Sequence, residues 1–164
     1  MDYAHNKNEI GVNTRILCIS DLHVPYQLPL STFSDYAGRT DILMLNGDIM
    51  DCQAISKFPK TYRVSPMEEL IECRQYLIDL IEMISPKQVV ICYGNHDIRF
   101  QNYFAKNLDT DLLELMPETA LDLIVDDWFN HYDKRLRTKV HYDSLVEVLE
   151  DSDISIEYTQ KWYT

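Results

Sequence analysis

The sequence predicts an α/β fold with a parallel sheet covered by helices, and three of its features carry that expectation. Residues 15–20, 42–46 and 88–93 are short runs dominated by Ile, Leu, Val and Met without strict alternation, as expected of strands covered on both faces. Segments of helical character lie between them, which is the pattern of βαβ units. Each run also ends in a polar cluster, and in a parallel sheet the carboxyl ends of neighbouring strands share one edge, where ligand sites form.

The first run leads into residues 28–37, expected to hold a short helix. The second leads to the clearest helix of the chain, residues 66–84, with Met67, Leu70, Ile71, Leu77, Ile78, Ile81 and Ile84 on one stripe. Ser65 as N-cap, Pro66 at the first helical position and Glu68 form its start, and Pro86 marks its end. After residue 98 the pattern changes. Residues 99–150 show no strong strand and contain amphipathic stretches at 118–129 and 144–149, so this region reads as mostly helical. Residues 154–163 alternate again and predict a strand. No internal repeat or low-complexity linker is visible, and a single domain over residues 1–164 is expected.

Composition narrows the function classes. Hydrophobic residues make up 46% and charged residues 26%, the balance of a globular domain rather than a disordered chain. The net charge of −12 is uneven: residues 101–164 carry 14 acidic and 6 basic side chains. That acidity opposes binding to long nucleic acid or anionic lipid, and the basic group Lys134, Arg135, Arg137 and Lys139 reads as a solvated face. Residues 1–9 lack the apolar core of a secretory signal and no apolar run spans a bilayer, so a cytoplasmic location without membrane contact is expected. The four cysteines include no CxxC pair. Cys18 and Cys92 lie within apolar runs and read as small buried hydrophobes of a reducing compartment.

The chemistry lies in the three polar clusters: Ser20-Asp21-Leu22-His23, Asn46-Gly47-Asp48-Ile49-Met50-Asp51 and Gly94-Asn95-His96-Asp97. Carboxylate, imidazole and amide donors without a thiolate cluster suit Mn, Zn, Fe or Mg. Asp48, on a strand–Gly–Asp turn, is well placed to be the carboxylate that two ions would share. Each cluster alone is weak; three in order, each after an apolar strand, are not.

The blocks Asp21-x-His23, Gly47-Asp48-x-x-Asp51 and Gly94-Asn95-His96-Asp97 resemble the first three signature blocks of the calcineurin-like metallophosphoesterase superfamily. The resemblance is well supported over residues 15–100 and extends more loosely to 164. It implies that Asp21 and His23 ligate one divalent ion, that Asp48 bridges two, and that Asn95 ligates the second. His96 would face the substrate, with Asn95 beside it, and act on the leaving oxygen, oriented by Asp51. The implied activity is hydrolysis of a phosphate mono- or diester by a metal-activated water. Asp97 fills a position where the family has Asp or Glu.

The family's later histidine blocks have no counterpart here. His131 and His141, like His5, are expected to be surface residues: His131 near a helix end, His141 with no strand before it. The chain therefore reads as incomplete at its C-terminal end, with residues 1–100 as the metal-site half, 101–150 as a helical cap-like region and 151–164 as the start of a further strand. The alternative expectation is a truncated, non-catalytic metal-binding or interaction domain, or one piece of a split enzyme. Partners expected on this reading are a phosphorylated small molecule, a nucleotide or a phosphoprotein, and a complementing chain or second copy at the open sheet edge.

Overall fold

The computed structural model describes residues 13–58 and 64–159. In chain order its elements begin with β1 (Ile16–Ile19), β2 (Ile42–Asn46), α1 (Pro66–Ile84), β3 (Gln88–Cys92) and α2 (Arg99–Asn107). They continue with α3 (Thr110–Leu113), α4 (Asp122–Val125), β4 (Phe129–Asp133), β5 (Thr138–Tyr142), α5 (Leu145–Val148) and β6 (Ser155–Thr159). The segment expected to be a short helix after β1 is a 3₁₀ helix, Leu30–Tyr36.

Strands β1, β2, β3 and β6 form one parallel sheet in that spatial order. Every step moves one strand in the same direction. Because parallel crossovers are right-handed, all connecting segments fall on the same face. The register sets Leu17, Leu43, Val89 and Ile156 abreast, then Ile19, Leu45, Ile91 and Tyr158, and this face packs against Leu77, Ile81 and Ile84 of α1, Leu121 and Ile124 beside α4, Phe129 and Leu145. Helix α1 starts at the expected capping box, with the Ser65 amide donating to Glu68 Oε2 at 3.4 Å, and ends at Ser85 in the left-handed conformation.

The opposite face was expected to be covered, but among the described residues no element packs across its β1 end. Ile16 and Cys18 of β1 are exposed, and Ile42, Met44 and Val90 are only half-buried. One-directional strand order puts no crossover there, so Cys18 is not the buried hydrophobe its neighbours suggested. Cys92 is buried.

Residues 99–150 contain the expected short helices, including α5 with its own Ser144–Glu147 capping box, but also a β-hairpin. The helical stretch expected over 118–129 is confined to α4. Asp133 Oδ1 accepts from the amides of Arg135 and Leu136 at 2.7 and 3.0 Å, closing the β4–β5 turn, and Phe129 stacks on Tyr142 with ring centroids 4.9 Å apart. His131 and His141 therefore lie in strands. The basic group Lys134, Arg135, Arg137 and Lys139 is the exposed hairpin tip. Strand β6 is fastened by Tyr158, whose hydroxyl donates to Asp122 Oδ1 at 2.7 Å. Residues 160–163, expected to continue that strand, and His5 lie outside the described residues.

Candidate metal centre

The loops after β1 and β2 run on side by side beyond the strands. The Asp21 amide donates to the Gly47 carbonyl at 3.1 Å, His23 to Asp48 at 2.9 Å and Val24 to Ile49 at 2.9 Å, while Asp51 donates back to Val24 at 3.0 Å. Main chain thus fixes the two loops against each other before any side chain is considered. Gly47 turns the chain with φ 85°, and Asp21, His23 and Asp48 also take positive φ, at 56°, 48° and 50°. Asp and His are among the few non-glycine types that tolerate this region.

The third loop, after β3, is keyed to the second. A Cβ on Gly94 would collide with Asp48 Oδ1 and lie 2.5 Å from the Asp48 amide nitrogen, so only glycine admits Asp48 here. Asp97 is fully buried and accepts from the amides of Gly94 at 2.8 Å, Met50 at 2.9 Å and Ile49 at 3.3 Å. Burial pushes its carboxyl up to about 6 against the pull of these three donors. Asp97 is the anchor that joins two strand-end loops.

On this frame His23, Asp48 and His96 each present one ligand atom, all within 4.8 Å of one another. Asp48 Oδ1 also accepts from the His96 amide at 2.9 Å. Asp51 Oδ1 lies 3.1 Å from His96 Nδ1 and 3.3 Å from His23 Nδ1, and the two imidazoles meet edge to face at 4.4 Å. Arg99 donates from Nη1 to the Asp51 carbonyl at 2.7 Å and from Nη2 to His96 Nε2 at 2.8 Å. His96 Nε2 is therefore an acceptor, which puts the proton on Nδ1, facing Asp51.

The site residues expected from sequence all reach this edge, in unequal ways. His23, Asp48 and His96 form the cluster. Asp21 is exposed, with Oδ1 3.7 Å from His23 Nε2. Asn95 is exposed, with one arm of its amide 3.1 and 3.3 Å from the Asp48 carboxylate oxygens. Asp51 touches both histidines rather than His96 alone. His131 and His141 do not join the cluster. Asp97 and Arg99 also take part, although the sequence pattern assigns them no role in the site. Asp97 draws its donors from a loop almost fifty positions earlier, which no local pattern reveals. Arg99 stands three residues after His96 at the start of a helix, a spacing that brings side chains to one face, and that was the available signal.

The donor set fits a divalent ion. His23 Nδ1 is shielded from solvent and has no aligned hydrogen bond despite its proximity to Asp51. An Asn95 amide arm against a carboxylate suits either an N–H donor or, with a cation between, the carbonyl oxygen. Among the described residues no helix is long and apolar enough to cross a membrane. No curated protein and no solved structure matches the chain. A family model, calcineurin-like phosphoesterase, matches residues 14–163, covering the sheet, the three loops and the hairpin. With that match over nearly its whole length, the chain belongs to the calcineurin-like phosphoesterase family.

Proposed function

We propose that this protein hydrolyses a phosphate mono- or diester at the edge formed by the loops after β1, β2 and β3. The observation that carries the proposal is the convergence of His23, Asp48 and His96 within 4.8 Å, from three strand ends, in a chain of this family. Asp21, His23, Asp48 and Asn95 are the residues that would hold divalent ions, two of them if Asp48 is shared. When bound, such ions polarise a phosphoryl oxygen and lower the pKa of a coordinated water.

The chain's own residues do the rest. His96 is assigned to the substrate side as the family resemblance implies, with Asp51 and Arg99 at its two ring nitrogens. Asp51 orients the ring from its Nδ1 side, and Nε2 is the nitrogen that would act on a leaving oxygen once Arg99 turns from it to the substrate. Arg99 places a positive charge beside that position, where it can meet a phosphoryl oxygen. Asp97 and Gly94 keep Asp48 in place.

The test is hydrolysis of bis(p-nitrophenyl) phosphate and p-nitrophenyl phosphate by the full chain with Mn²⁺. Turnover that disappears in Asp48→Asn supports the proposal. Mn²⁺ binding with no turnover on either ester supports a second reading, metal binding without catalysis. One observation favours that reading: among the described residues no third histidine joins His23 and His96.

A further inference from the structure

A cavity of about 520 Å³ shares Arg99 with the metal-site cluster. Helix α2 lines it with Arg99, Asn102, Tyr103 and Lys106, positions i, i+3, i+4 and i+7, which form one helical face. The facing wall comes from the segment after β2, with Lys57 and Phe58. No lining residue is acidic, in a chain with 27 acidic and 15 basic side chains. Lys57 and Lys106 come close enough that Lys57 lowers the Lys106 amine below its ordinary range. Two ammonium groups held together repel unless an anion lies between them. Phe58 and Tyr103 are 73% and 46% exposed, so two ring faces beside those charges are open to a ligand.

Arg99 belongs to both places, since its Nη2 contacts His96. Lys106 stands seven residues further on, two turns along the same helical face, and lines the same cavity as Arg99. A ligand that uses both ends is longer, anionic at two points and flat in between or beyond.

We propose that this cavity is the substrate-selecting subsite, and that the substrate is a nucleotide with more than one phosphate. The scissile phosphate lies at Arg99 and His96, a further phosphate lies between Lys57 and Lys106, and the base stacks on Tyr103 or Phe58. Base–aromatic stacking is sequence-tolerant and charge-assisted contacts fix the phosphate; the cavity volume is in the range of small-ligand sites. The inference rests on the phosphoesterase reading for the scissile end only.

The experiment is calorimetric titration of the full chain with ADP, inorganic pyrophosphate and adenosine, without divalent metal, so that the metal centre takes no part. ADP is expected to bind more tightly than either fragment, with affinity falling as salt rises. Lys57→Glu/Lys106→Glu is expected to weaken ADP by at least about tenfold, and the milder Lys106→Gln to weaken it less while circular dichroism stays native. Tyr103→Ala is expected to weaken ADP and spare pyrophosphate. Unchanged ADP affinity in both lysine variants overturns the subsite. A phosphoserine peptide that binds as tightly as ADP with the same lysine dependence overturns the nucleotide assignment in favour of a phosphoprotein. Hydrolysis of bis(p-nitrophenyl) phosphate with Mn²⁺ tests the other reading separately: turnover with lysine-independent ADP binding sinks only the subsite, and lysine-dependent binding without turnover sinks only the phosphoesterase.

Discussion

Arg99 is shared by two regions, the first of which, Asp48, Asp51, His23 and His96, is held by main-chain bonds between loops, by a buried Asp97 and by a glycine that admits nothing larger. The second is the cavity lined by Lys57, Phe58, Tyr103 and Lys106, whose positions depend on one short helix and one loop. The first region is acidic, half-buried and fixed; the second is basic, exposed and adaptable. A centre that holds ions and passes protons needs ligand positions set to within fractions of an ångström. A surface that selects a substrate needs charge and area, and side chains can supply both without a rigid frame. The difference teaches where each kind of substitution should hurt.

The largest effect is expected at the fixed region. Asp48→Asn removes the charge that ions would share, and both Mn²⁺ binding and hydrolysis should fall by several kcal/mol, roughly 10³-fold. Calorimetry and bis(p-nitrophenyl) phosphate turnover check this together; retained Mn²⁺ affinity would show that Asp48 is no ligand. His96→Asn comes next. It should keep the metal and lose about 10²–10⁴-fold in kcat on alkyl phosphates. A p-nitrophenyl leaving group, which needs little protonation, should recover part of the loss. If His96→Asn loses Mn²⁺ as Asp48→Asn does, His96 is a ligand and its assignment to the substrate side fails.

Gly94→Ala is expected to cost about 1–3 kcal/mol of stability, because its Cβ must displace Asp48 or the adjoining main chain. Mn²⁺ affinity should fall with it. Denaturant unfolding beside a metal titration measures both, and an unchanged metal affinity would mean that Asp48 adjusts more freely than the packing implies.

An effect of similar size, spread over pH rather than lost at once, concerns Glu69, which accepts from the Gln53 amide at 3.2 Å. It is 1% exposed, and burial pushes its carboxyl up to about 7 from 4.5. Between those values the folded chain holds a proton that the unfolded chain has released. Stability should therefore rise as pH falls from about 8 to about 5, by roughly 1–3 kcal/mol from this group. Glu69→Gln should flatten that slope in metal-free denaturation curves, and parallel curves for the two proteins would show that Glu69 ionises without penalty.

The sheet and the metal edge were readable because their signals are local. Apolar runs ending in Asp-x-His, Gly-Asp and Gly-Asn-His put the donors at strand ends, and the parallel order did the rest. The capping box at Ser65 named the first residue of α1. What escaped depended on distance or on faint pattern. Asp97 looks like any turn carboxylate until the amides of Ile49 and Met50 arrive from another loop. Cys18 reads as buried unless the handedness of every crossover is followed. The β4–β5 hairpin has few buried anchors, Phe129 chief among them, so its alternation was lost among helical signals. Arg99 needed the direction of α2 before its partners could be named.

The positive φ values at Asp21, His23 and Asp48 bear on what this sequence has been selected to do. Glycine would relieve the backbone at each of the three positions, by up to about 1–3 kcal/mol, and it is one mutational step from aspartate. A lineage that no longer needed ions would be free to drift toward glycine, becoming more stable as it lost its donors. This chain holds Asp, His and Asp in that positive-φ region, while in the same two loops the only glycine is Gly47, which offers no side-chain donor. On the proposed metal-binding reading, each of these three donors is held at a cost in backbone energy, so replacing any of them with glycine is expected to remove a donor without a matching loss of stability.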